Sequence, residues 1–151
     1  MENDGNNQLN REYEDDYQLC MDIDWFFKYK DVHFHVASNG HKLPQSVKIG
    51  DNVKLQVITE HMIHDRRRRK YTIVTRPNPL GLNYGTFEDF ARCGFVSLDT
   101  IDDTSDSKVL QVIARPTDYR NLHLKIDLGT LNILGEHIRI YDIDGTPLLL
   151  E

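Results

Sequence analysis

Short runs of alternating apolar and polar residues, separated by turn-forming residues, constrain the fold of this chain more than any other feature. In the clearest run, Val32, Phe34 and Val36 alternate with His33 and His35. Successive side chains of a β-strand point to opposite faces, so this run predicts a strand with one apolar and one polar face. We expect the two histidines to face solvent.

Similar runs follow along the chain. We interpret as strands residues 25–27, 32–36, 53–58, 71–74, 95–98, 108–114, 122–128, 138–140 and 148–150. The polar residues 28–31 predict a hairpin between residues 25–27 and 32–36, and Asn39-Gly40 predicts the next turn. Residues 53–58 and 71–74 predict a second hairpin around a basic loop. The dipeptide Asp144-Gly145 is typical of the tight turn between two hairpin strands.

One segment, residues 86–93, has the signals of a helix. Thr86 can cap its N terminus, and Gly94 stands where a C-terminal cap belongs. The chain therefore predicts an α+β fold that is predominantly antiparallel β, barrel-like or sandwich-like, with about seven to nine strands and one short helix.

The acidic residues are concentrated at the N terminus. Residues 1–24 contain eight acidic residues and one basic residue, although the whole chain has a net charge of only −6. Because residues 1–19 are polar and nearly free of aliphatic side chains, we predict a flexible acidic tail there, with Tyr13, Tyr17 and Leu19 as docking handles. Residues 20–151 are predicted to form a single strand-rich domain.

The strongest charge cluster lies at residues 66–70, where Arg66, Arg67, Arg68, Arg69 and Lys70 are adjacent. One interpretation is a solvated hairpin tip that protects the sheet from edge pairing. A second is a binding site for phosphate or for a carboxylate-rich protein, because arginine offers bidentate geometry to both. A third is a contact with the acidic tail of the same molecule.

Two partial resemblances bear on function. Residues 48–57, which start Lys48-Ile49-Gly50-Asp51, resemble the later strands of an OB-fold RNA-binding barrel when taken with residues 71–74. The pair His33-x-His35 resembles the first half of a cupin metal motif. The glutamate of that motif is missing, because Asn39 and Gly40 occupy the positions where it would stand.

Signatures of catalysis are missing from the sequence. There is no GxSxG motif, no phosphate-binding glycine loop and no cofactor motif, so we expect no cofactor. The N terminus lacks the features of a signal peptide, and Cys20 and Cys93 have no metal-binding spacing, which indicates a cytoplasmic protein.

We therefore interpret the chain as a non-catalytic protein-interaction domain that acts through loops and charged patches, by analogy with immunity proteins. The alternatives are a nucleic-acid-binding β-barrel that uses the basic loop and a metal-dependent enzyme that uses His33 and His35.

Overall fold

The computed structural model describes residues 11–44, 47–103, 107–126 and 137–148, and within them the fold is α+β. Three helices and six strands occupy these ranges. The helices are α1 (Asp15–Cys20), α2 (Ile49–His64) and α3 (Gly85–Arg92). The strands are β1 (Asp24–Tyr29), β2 (Val32–Ala37), β3 (Ile73–Thr75), β4 (Val96–Asp103), β5 (Ser107–Pro116) and β6 (His137–Tyr141).

The strands form one mixed sheet that curls into a half-barrel. Its order is β1-β2-β4-β5-β3, and β6 also pairs with β5. Pairing is antiparallel for β1–β2, β4–β5 and β3–β5, and parallel for β2–β4 and β5–β6. The α+β class is confirmed, and three of the five strand pairings are antiparallel as predicted, but the sheet is mixed. The described residues contain six strands, so the predicted count of seven to nine is wrong for them.

The hairpin of β1 and β2 follows the sequence prediction. Its two central residues, Lys30 and Asp31, have φ of 46° and 65°. Positive φ at both central residues is the geometry of a two-residue turn whose twist matches that of the strands. The next predicted turn is also present, because Asn39 and Gly40 have φ of 49° and 76°.

The largest difference from the sequence prediction is α2, which replaces the strand predicted at residues 53–58. Leu55 and Met62 are buried on one face of this helix and pack against Phe26 and Phe90. The basic residues therefore follow a helix and do not form a hairpin tip. The resemblance of residues 48–57 to OB-fold strands is also wrong.

The predicted helix at residues 86–93 is present as α3, with a different N-terminal cap. Tyr84 precedes the helix and Thr86 lies within its first turn. Gly94 ends the helix with φ of 108°, and its N–H donates to the carbonyl oxygen of Ala91. A Cβ atom at Gly94 would lie 2.7 Å from Leu124 Cδ2, so both backbone and space favour glycine here.

Both faces of the sheet are covered. On one face, Trp25, Phe27 and Phe34 belong to a large apolar cluster. On the opposite face, α2 and α3 pack over Phe26 and Phe95.

The structure differs from the strands predicted near the C terminus. Residues 122–126 are not a strand, and residues 127–128 and 149–150 lie outside the described residues. The turn at Asp144-Gly145 is confirmed, because Gly145 has φ of 85° and its N–H donates to Asp142.

Candidate cleft between the N-terminal segment and α2

A cleft of about 780 Å³ separates the N-terminal segment, residues 11–24, from α2 and the beginning of α3. It extends along most of α2. The residues that line it are Arg11, Glu12, Tyr13, Glu14, Tyr17, Asp22, Ile23, Asp24, Ile49, Val53, Gln56, Thr59, Glu60, Ile63, Thr86 and Phe90.

Specific bonds hold the N-terminal wall of the cleft in place. Glu12 forms an isolated β-bridge and a 3.1 Å ion pair with Lys48, the residue that precedes α2. The buried side chain of Gln18 donates to the carbonyl oxygen of Tyr13 and accepts from the backbone N–H of Leu43 at 2.5 Å. These contacts attach the described part of the acidic segment to the domain.

Asp24, at the start of β1, lies on the inner wall of the cleft and is fixed from two sides. Its carbonyl oxygen accepts hydrogen bonds from the side chains of Asn52 and Gln56 on α2. Its carboxylate Oδ1 lies 2.7 Å from His35 Nε2, and His35 Nδ1 lies 2.7 Å from Ser97 Oγ. The neutral imidazole with its proton on Nε2 satisfies both bonds, donating to Asp24 and accepting from Ser97.

The chain of Ser97, His35 and Asp24 contains the residue types of a hydrolase triad. Its burial argues against nucleophilic catalysis, because Ser97 and His35 are fully buried while the Asp24 side chain is 38% exposed. The imidazole also stacks on Phe90 with ring centroids 3.7 Å apart. The arrangement therefore orients the Asp24 carboxylate, which is the group that a ligand in the cleft can reach.

The prediction that His33 and His35 face solvent is wrong. They share one face of β2 as predicted, but α3 and Phe95 cover that face and both histidines are buried. His33 Nε2 lies 3.3 Å from the carbonyl oxygen of Ile126. Burial lowers the pKa of His33, which favours its neutral form.

The geometry does not favour the histidine pair as a metal site. Both ring nitrogens of His35 already have partners in Asp24 and Ser97. Within the described ranges, no group of three or more His, Cys, Asp or Glu side chains is arranged to hold a metal ion.

The surface of the cleft combines negative charge with apolar area. Its carboxylate residues are Glu12, Glu14, Asp22, Asp24 and Glu60, and Arg11 is the cation among the lining residues. Its aromatic and aliphatic residues include Tyr13, Tyr17, Ile49, Val53 and Ile63. Such a surface favours a ligand that is both cationic and apolar.

The solvent-facing side of α2 continues this apolar area. Ile49, Val53 and Val57 recur every fourth residue and so lie along one line of the helix. Val53 and Val57 are 42% and 49% exposed. Glu60 lies on the same side, as its place in the cleft lining shows.

The carboxylate of Asp99 lies close enough to Asp22, a residue of the cleft lining, for their negative charges to interact. Burial, assisted by the negative charge of Asp22, raises the pKa of Asp99 to about 6. Asp22 itself accepts a hydrogen bond from the backbone N–H of Asn39. Asp99 belongs to β4, where it lies between Ala37 of β2 and Gln111 of β5.

The predicted site at residues 66–70 lies at the C-terminal end of α2, beside Ile63. Arg66, Arg67 and Arg69 are exposed and Arg68 is half-buried. Lys70 has a structural role, because its Nζ donates to the carbonyl oxygens of Met62 and Ile63 in the last turn of α2.

Comparison of this chain with protein-family models, with curated proteins and with solved structures found no match. Across the part of the chain that the structure describes, no helix is both long and apolar enough to span a membrane.

The sequence prediction missed most residues of the cleft. The one part of it that the sequence indicated was the pair Tyr13 and Tyr17, whose rings stack with centroids 5.9 Å apart. The Tyr13 hydroxyl accepts a hydrogen bond from Asn52 Nδ2, and Tyr17 is 49% exposed. Asp24 and Glu60 had no signal, because they line the same cleft only when α2 packs against β1.

Proposed function

We propose that this chain is a protein-interaction domain whose cleft between residues 11–24 and α2 binds a protein segment with cationic and apolar side chains. The observation that carries the proposal is the row of carboxylates beside the exposed apolar line of α2.

Two energetic terms support a ligand of this kind. Covering the exposed parts of Val53 and Val57 contributes about 25 cal/mol for each Å² of apolar surface removed from water. Cationic side chains of the ligand gain Coulomb energy from Glu60 and Asp24, and that gain is largely screened beyond about 8 Å at physiological salt. We therefore expect affinity to come from both contacts and to fall as salt rises.

The Asp24 carboxylate supports a directional contact within this cleft. Because His35 and Ser97 hold it from behind, its free oxygen is presented to the ligand without further loss of side-chain entropy. A guanidinium or ammonium group is the natural partner for a carboxylate held in this way.

The same charges disfavour nucleic acid as the occupant of the cleft, because phosphates would be repelled by its carboxylates. Both cysteines are free thiols, and Cys20 is exposed. An exposed free thiol is typical of reducing compartments, which supports the cytoplasmic address that we propose for the protein.

Binding of two designed peptides tests the proposal. The probes are a fluorescent amphipathic peptide of leucine and lysine and its analogue of leucine and glutamate, followed by fluorescence anisotropy. We expect the lysine peptide to bind, its affinity to fall by at least about tenfold between low and high salt, and the glutamate peptide to bind much more weakly.

Two matched pairs of variants locate the binding. Glu60→Gln should weaken binding of the lysine peptide more than Asp31→Asn, which removes the same charge at the β1–β2 turn. Val53→Gln should weaken it more than Ile58→Gln, because Ile58 is similarly exposed on α2 but does not line the cleft. Equal binding of the two peptides, or equal effects within each pair, would contradict the proposal.

A further inference from the structure

The acidic and basic segments of this chain lie at opposite ends of α2. We call residues 12–16 the acidic segment and residues 66–69 the basic segment. Glu12 pairs with Lys48, immediately before α2, and the basic segment begins two residues after His64, the last residue of α2. The 16 residues of α2 span about 24 Å at 1.5 Å per residue.

This separation prevents the two segments from contacting each other within one molecule. The 24 Å length of the helix is about three Debye lengths at physiological salt, so their attraction through solvent is also small. The sequence-based hypothesis that the acidic tail covers the basic loop is therefore wrong for the described residues 12–16. The opposite charges of the two segments can attract strongly only between molecules, where the arginines would compete with Lys48, Lys42 and Arg11, the intramolecular partners of Glu12, Asp15 and Glu14.

The face of α2 between these segments is self-complementary in an antiparallel pair. A two-fold axis at the midpoint of the helix, between Gln56 and Val57, would bring Val53 and Val57 of both copies to the centre. The same operation would place each basic segment against the acidic segment of the other copy. A two-fold interface requires this kind of pattern, in which one patch complements itself.

We propose that the occupant of the cleft is a second copy of this chain, which packs its α2 antiparallel and inserts its basic segment beside the acidic segment. This inference rests on the proposed function, because it names the cationic and apolar segment that the cleft binds. It also gives Arg66 a partner that fits its charge, and it adds carboxylates to the contacts that Arg67 makes with Asp65 and Arg69 makes with the Tyr71 ring.

The geometry indicates a weak, salt-sensitive dimer. Because the proposed contact consists of one helix face and its two charged ends, we expect it to bury less than the roughly 800 Å² per partner of a typical stable interface. Exposed charge pairs each contribute well under about 1 kcal/mol singly, but the symmetric dimer contains two sets of them. We expect a dissociation constant on the order of ten to a hundred micromolar at low salt.

A charge-swap experiment tests the dimer. The base-reversed variant carries Arg66→Glu and Arg67→Glu, and the acid-reversed variant carries Glu14→Lys and Asp16→Lys, all at exposed positions. Sedimentation velocity should show self-association of the natural chain at low salt, at least about tenfold weaker self-association of either variant alone, and recovery in their equimolar mixture. Recovery requires folded variants, so a mixture that associates also excludes misfolding as the cause of the losses.

Three results would overturn the inference. One is a natural chain that stays monomeric at concentrations about tenfold above the expected dissociation constant. Another is a mixture that fails to associate although both variants melt within a few degrees of the natural chain. The third is a natural chain that stays monomeric and binds a labelled poly(U) oligonucleotide, with binding lost in the base-reversed variant. That result would show that the basic segment binds nucleic acid. If the lysine peptide still binds in these cases, the proposed function stands with a different protein as its partner.

Discussion

His35 Nε2 lies 2.7 Å from Asp24 Oδ1, and this bond joins a fully buried imidazole to a carboxylate in an open cleft. Ser97 extends the connection, because it is the register partner of His35 on β4 and bonds to the other ring nitrogen. Three neighbouring strands are thus linked by side-chain bonds beneath Phe90. The position of the carboxylate in the cleft therefore depends on residues that no ligand can touch.

Replacing His35 with Gln should lower the free energy of unfolding by about 2–4 kcal/mol, because the shorter side chain leaves Ser97 unpaired and removes the stacking on Phe90. Urea unfolding measures this loss, with His123→Gln as the exposed control. Zinc should not restore stability to the variant in which both His33 and His35 are replaced. A loss of unfolding free energy below about 1 kcal/mol would support the interpretation that the histidines face solvent. Recovery of stability with zinc would support the interpretation that they bind a metal.

Asp99→Asn should stabilise the protein at neutral pH and have little effect near pH 4. The pKa of Asp99 is raised to about 6 by burial and by Asp22, so the folded state binds this proton more tightly than the unfolded state does. The charged form therefore destabilises the fold above pH 6, and the penalty disappears as pH falls through 6 towards 4. Urea unfolding at several pH values should show that Asp99→Asn raises the free energy of unfolding by about 1–2 kcal/mol at neutral pH but not near pH 4.

Asp118→Asn, at an exposed position, is the control for this pH dependence. The change that Asp118→Asn causes in the free energy of unfolding should be the same at pH 4 and at neutral pH, unlike the change that Asp99→Asn causes. A stabilisation by Asp99→Asn that is equal at both ends of the range would show that the pKa of Asp99 is not the cause.

Removal of residues 1–10 and removal of residues 1–19 should have different consequences. The shorter deletion leaves the bonds of Gln18 to Leu43 and Tyr13 intact, so we expect a change within about 0.5 kcal/mol. The longer deletion removes them and exposes the side of α2 that lines the cleft, which should lower the free energy of unfolding by about 2–3 kcal/mol. Thermal unfolding measures both. Equal effects would support the prediction that all of residues 1–19 are a flexible tail.

The sequence allowed prediction of the elements that depend on local signals. The β1–β2 hairpin, the helix that ends at Gly94 and the turn at Gly145 each rest on a backbone preference that neighbouring residues display. Helix α2 has no such signal. Two of its four buried residues, Asn52 and Thr59, are polar, while its exposed face carries valines. Its apolar residues are therefore spread over both faces and do not form the single stripe by which a helix is recognised.

The cleft was beyond sequence prediction for a similar reason. Alternation in β2 correctly placed His33 and His35 on one face, but it cannot show that a helix covers that face. The partners of His35 are Asp24 and Ser97, and the latter is 62 residues away in sequence. A polar strand face that is buried under a helix is identified only by such distant partners, and a single sequence does not pair them.

The parallel pairing of β2 with β4 has a consequence for how the chain folds. The β1–β2 hairpin closes a two-residue turn and can form within about 1–10 μs. Its neighbour β4 is separated from β2 by residues 38–95, which include α2 and α3, and closing so long a connection makes formation of the sheet slower. On the ribosome, β2 therefore presents an unpaired apolar edge until β4 has emerged, and for that interval the nascent chain is most exposed to misassembly and to capture by chaperones.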